Sequence, residues 1–117
     1  MANYGLFIGW NRPVPGREPE AGEVFQQALG YWGKLQKEGK IESFEPALLQ
    51  RHGGDLNGFF LIRGKRESIH TIMDSREYKD LILRCDHYVA GFGVVPMSIG
   101  EELTTEMQHW MQLVTKS

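Results

Sequence analysis

Two short segments of this chain, Tyr4–Trp10 and residues 57–63, are apolar on both faces of an extended strand, which restricts what the chain can fold into. Strand side chains alternate between faces. In the first segment Tyr4, Leu6, Ile8 and Trp10 share one face, and Gly5, Phe7 and Gly9 share the other. In the second, Gly58, Phe60 and Ile62 alternate with Phe59, Leu61 and Arg63. A sheet with one wet side would carry a polar face there. Neither segment has one, so both sides of their sheet need a cover.

The remaining segments supply candidates for that cover. Asn11-Arg12-Pro13-Val14-Pro15-Gly16 is a stiff turn by composition. Over residues 20–38, Val24, Phe25, Ala28, Leu29, Trp32 and Leu35 recur every three or four positions, as one face of a helix requires. Gly39 fits the left-handed position that ends it, after Lys34 and Lys37 near its negative end. Residues 41–50 and 57–63, separated by the turn His52-Gly53-Gly54-Asp55, read as a hairpin. A second helical region begins with Ile69, Ile72 and Met73, restarts at Asp74 with Glu77 three residues on, and continues through Tyr78, Leu81, Ile82 and Cys85. Residues 88–99 read as a fourth strand. Residues 101–114 read as a terminal helix with Leu103, Met107, Trp110, Met111 and Val114 on one face.

The order is strand, helix, strand, strand, helix, strand and a terminal helix, so the fold class expected is α+β, a ferredoxin-like β-α-β-β-α-β antiparallel sheet. Its first and third strands are central. Proline lacks the amide hydrogen a central strand needs, and the two strand prolines, Pro46 and Pro96, fall on the two predicted edges. Two helices cover one sheet face. The other face is closed either by the terminal helix of the same chain or by a second copy, sheet against sheet, with the terminal helix bracing the partner; the homodimer is the expectation.

At 117 residues, one domain spanning 1–117 is expected. A composition of 41% hydrophobic and 24% charged residues is that of a folding globular chain, and a net charge of −2 argues against a nucleic-acid partner. Its one cysteine, Cys85, can form no internal disulfide, and Met1 to Trp10 does not read as a secretion signal, so the expected location is cytoplasmic. No apolar run approaches the ~20 residues of a membrane span.

Signatures of hydrolases, kinases and zinc proteases are absent, and no residue set with metal-ligand spacing appears, so no metal or cofactor is expected. Of four histidines, His70 and His109 fall on polar helix flanks and His52 in a glycine loop. His87, at the start of the fourth strand, is the candidate catalytic base, since imidazole titrates near neutrality. Gly5 and Gly9, beside Gly91 and Gly93, suggest two neighbouring strands stripped of side chains on their helix-facing side. The ligand site expected there is lined by Phe7, Trp32, Phe92 and Met97, with Trp10, Asn11 and Arg12 at its mouth; close packing without a void is the alternative. The same element order builds RNA-recognition motifs. Here, however, Asn57-Gly58-Phe59-Phe60-Leu61 departs from their third-strand pattern, and Arg63, Lys65 and Arg66 are the only basic cluster.

The element order, the two apolar sheet faces, Gly58-Phe59-Phe60-Leu61-Ile62-Arg63-Gly64 before a broken helix, and the late strand Gly91-Phe92-Gly93-Val94-Val95-Pro96 together resemble the dimeric α+β barrel superfamily, especially small uncharacterised bacterial members. That resemblance implies a barrel formed by two copies. It also implies that any catalysis is cofactor-independent oxygenation or isomerisation of a small apolar or aromatic ligand. In that case His87 is the proton acceptor and Trp10, Asn11 and Arg12 position the ligand. The other reading is a non-catalytic self-associating domain, because one fold hosts many chemistries.

Overall fold

A computed structural model describes residues 3–115. In chain order its elements are β1 (Tyr4–Trp10), β2 (Arg12–Pro13), α1 (Glu18–Lys37), β3 (Ser43–Leu48), β4 (Gly58–Gly64), α2 (Arg66–Asp74), α3 (Arg76–Tyr88), β5 (Val89–Ala90), β6 (Gly93–Ser98) and α4 (Gly100–Thr115). The main sheet is antiparallel in the order β3-β4-β1-β6, with the two doubly apolar strands central and Pro46 and Pro96 on the edges.

Helices α1, α2 and α3 cover the face bearing Leu6, Ile8, Phe60 and Ile62, which are essentially sealed from water, and Trp32 of α1 sits at the centre of that core. The covered face is therefore the bulky one. The expectation that Gly5 and Gly9 look toward the helices is reversed. The space above Gly5 is taken by the Met97 side chain, 2.8 Å from where a Cβ would stand. That above Gly9 is taken by the Phe7 ring and Leu56, each at 2.9 Å. Helices seat on protruding side chains that fill their grooves, which glycine cannot offer.

Helix ends follow local chemistry. Gly39 has φ +78°, with Lys40 N–H donating to Leu35 O and Gly39 N–H to Gln36 O, the paired bonds of a glycine-terminated helix. The break between α2 and α3 falls one residue later than expected. Asp74 is the last residue of α2, and Ser75 is the cap, its Oγ accepting from Tyr78 N–H at 3.2 Å. The fourth strand also begins later. Helical bonding runs through Tyr88, and the chain reverses at Gly91 (φ +66°) before β6. Helix α4 buries no residue, so it does not close the open face of its own sheet. No helix among the described residues is long and apolar enough to cross a membrane.

Candidate functional site

Between the covered face of the sheet, α1 and α3 lies a cleft of about 340 Å³. Ile8, Trp10 and Phe60 form its floor. One wall is α1, which places small residues (Ala21, Gly22, Ala28) and aromatic ones (Phe25, Trp32) there along with Val24 and Gln26; the other is α3, with Leu81, Ile82 and Cys85. The small residues on α1 make the room, because an interior of full-sized side chains closes to native density. Trp10 leans over Gly58, whose missing side chain leaves the indole its place. The indole meets Phe60 edge-on at 5.1 Å and Phe25 at 6.0 Å. Aromatic pairs at such distances hold one another in position, giving the cleft a rigid end.

The mouth is framed by β2 and β5, joined through Arg12↔Ala90 and Pro13↔Val89, with Val14 N–H donating to Tyr88 O. Pro13, Val89, Phe92 and the exposed carboxylate of Glu18 line it. Asn11 fastens this frame to the hairpin: its Oδ1 accepts from Asn57 Nδ2 at 2.6 Å, and its backbone N–H donates to Ala90 O. Gly91 passes so close to Asn11 that a Cβ would stand 2.8 Å from the Asn11 Cβ.

Cys85 is the one titratable group buried in the cleft wall. Burial pushes its thiol up to about 11, with Arg84 lowering it slightly, so at neutral pH it is a protonated, weakly polar patch in an apolar wall. Tyr78, one turn before Leu81 on α3, is pushed up to about 12, by burial first and then by Tyr31 and Cys85. No group of three or more His, Cys, Asp or Glu that could hold a metal ion occurs among the described residues.

Of the residues singled out from sequence, the structure brings Trp10, Trp32 and Phe92 together in the cleft. Phe7 and Met97 lie on the opposite face of the sheet. Asn11 is clasped by Asn57, and Arg12 is exposed on β2, its Nε donating to Asn11 Oδ1 at 3.4 Å. His87 is exposed in the last turn of α3, its ring edge-on to Tyr88 at 4.7 Å, outside the cleft lining. Phe25, Ala28, Leu81, Ile82 and Cys85, which read as core stripes, line the cleft instead, together with Phe60 of the sheet and Glu18 at the start of α1.

No family model matches the chain, and no curated protein does. Solved structures do. A dimeric protein of unknown function and ferredoxin-like fold from Bacteroides fragilis superposes with TM-score 0.63 at 10% identity, covering 85% of this chain and 98% of that one. A dimeric ferredoxin-like protein of unknown function from a Jannaschia species gives 0.64 at 10%, covering 82% and 98%. The fold is ferredoxin-like. SnoaB, a cofactor-independent oxygenase from Streptomyces nogalater, gives 0.54 at 11%, covering 85% of this chain and 95% of that one. These likenesses agree with the resemblance to the dimeric α+β barrel superfamily; at such identities they speak for the fold alone, and within one chain the sheet stays open.

Proposed function

We propose that this protein binds a small, flat, largely apolar molecule in the cleft between α1, α3 and the sheet, and that it does so as a homodimer joined through the open sheet faces. The cleft carries the first half of the reading. Its volume is that of a small-ligand site, its lining is aliphatic and aromatic, and its polar groups stand at the rim, where they orient a ligand. The second half rests on the open face, where Phe7, Phe59, Leu61, Val95 and Met97 gather without a helix over them. The ring of Phe7 stacks on Phe59 at 5.4 Å and 24°, so the face is aromatic as well as apolar. The two dimeric neighbours support pairing, and SnoaB, a cofactor-independent oxygenase, supports a catalytic version, cofactor-independent oxygenation of the bound molecule; isomerisation is what the superfamily resemblance adds. In that version Glu18, the carboxylate at the mouth, takes the place that the sequence offered to His87 as proton acceptor.

The test exploits Gly22. A Cβ there meets nothing within 4 Å, so the backbone accepts a side chain at the cleft rim, and Gly22→Leu also removes a helix-weakening glycine. With 1-naphthol as probe and the fluorescence of Trp10 and Trp32 as readout, Gly22→Leu weakens binding at least tenfold and leaves the probe-free melting temperature equal or higher. His87→Ala binds like the wild type. Equal affinity in Gly22→Leu and wild type overturns the site.

A further inference from the structure

The surface area of the chain is too large for its mass. A compact monomer of 13.4 kDa exposes about 6,500 Å², whereas this chain exposes 7846 Å². Its radius of gyration is 16.2 Å, against about 13 Å for a compact domain of this length. The open sheet face does not account for the difference: four strands of six or seven residues present a footprint of about 400 Å², roughly a third of the excess. Helix α4, none of whose residues is buried, adds to the remainder.

Helix α4 is sixteen residues long and carries Leu103, Met107, Trp110 and Met111 on one stripe, each half-exposed. Its residues beyond Glu102 are all exposed, but its root is tied down. Glu101 N–H donates to Asn3 Oδ1 at 3.2 Å. Glu102 accepts from Ser98 Oγ at 3.3 Å and from the Arg66 guanidinium at 2.9 Å. Arg66 in turn lies over the Tyr4 ring, 5.1 Å from its centre. Such a root fixes the direction of the arm before anything binds it, and pre-ordering lowers the entropy lost on docking.

The geometry points to α4 as an exchanged arm that packs its Leu103, Met107, Trp110 and Met111 stripe on a second copy of this chain, at the margin of the paired sheets. This rests on the sheet-to-sheet homodimer proposed above and goes beyond it. The second copy is the fitting occupant because of the area a stable dimer needs. A stable interface buries about 800 Å² per partner, about twice the sheet footprint, so the half-exposed stripe of α4 is the surface at hand that adds to it. Two-fold symmetry lets each copy give one arm and receive one, so both uncovered surfaces close in one interface without leaving a site for further growth.

The test is sedimentation of three full-length proteins: the wild type, Met107→Glu/Trp110→Glu on the arm, and Leu61→Glu on the open face. The wild type sediments as a dimer at micromolar concentration. The arm variant keeps its far-ultraviolet dichroism and its 1-naphthol affinity but dimerises at least 100-fold more weakly. On dilution, wild-type Trp110 emission shifts to the red as the dimer separates, a change missing from Trp110→Phe. If the arm variant dimerises like the wild type while Leu61→Glu is monomeric, the exchanged arm is overturned and the sheet-to-sheet dimer stands. A wild type that is monomeric at 100 μM overturns both.

Discussion

On its helix side β1 presents Tyr4, Leu6, Ile8 and Trp10, and on its open side Gly5, Phe7 and Gly9; β4 repeats the contrast with Phe60 and Ile62 against Phe59 and Leu61. Both faces are apolar, but their shapes differ. The helix side consists of separate bulky side chains, which enter the grooves of α1, α2 and α3; Tyr4, Leu6, Ile8, Phe60 and Ile62 are buried and Trp10 partly so. On the open side, Met97 lies down over Gly5 and the Phe7 ring covers Gly9, which levels the surface. A level apolar surface suits another sheet, packed face to face about 10 Å away, better than it suits a helix. Hydrophobicity says that a face needs a cover, and relief says what kind of cover fits.

The comparison breaks most directly by truncating one residue on each face. Ile62→Ala removes three side-chain carbons from a sealed position, and about 2–5 kcal/mol of stability is lost in urea unfolding. Its sequence neighbour Leu61→Ala, measured at protein concentrations where only monomer is present, costs less than about 1 kcal/mol. Equal losses would mean that the open face is already packed within one chain. The glycines sharpen the same contrast. At Gly58, on the covered side, an added Cβ runs into the Trp10 indole, and Gly58→Ala costs about 1–3 kcal/mol. At Gly93, which pairs with Gly9, a Cβ meets nothing within 4 Å, so Gly93→Ala is close to neutral in the monomer. A neutral Gly58→Ala would show that the indole is free to move and that the rigid end of the cleft is not rigid.

Much of the fold was legible because it depends on local rules. Gly39 ends α1 with the bonds its position suggests, and Pro46 and Pro96 mark the two edges because neither can donate in a central ladder. The site was legible only in part. Where both faces of a strand are apolar, alternation gives two sets of residues but not which set the helices take. Reading glycines as space for a ligand therefore sent Phe7 and Met97 to the wrong side. His87 was misplaced by a boundary: α3 runs on to Tyr88, which turns the imidazole outward from a helix instead of into the start of a strand. The cap between α2 and α3 moved from Asp74 to Ser75 because both residue types accept from helix amides and only the backbone decides between them. The stripe on α4 stated its need for a partner plainly, yet amphipathicity carries no information about which chain supplies it.

The smallest effect expected reports on how dry the covered side is. The Cys85 thiol is raised by burial to about 11 in the folded protein, while in the unfolded chain it titrates near 9. Between those values the folded state holds a proton that the unfolded state has lost, so stability falls as pH rises through that window and is unaffected below it. Tyr78, raised from 10 to about 12, and Tyr31, raised mainly by burial, add losses of the same sign that begin just below pH 10 and grow above it. Over pH 9 to 10 the thiol is the largest contributor, on the order of 1 kcal/mol in urea unfolding, and Cys85→Ala removes that share while leaving the steeper loss above pH 10. A wild-type stability that is flat from pH 9 to 10 would mean that water reaches Cys85 through the cleft, and the contrast between a sealed face and an open one would fail at the wall where the ligand is proposed to sit.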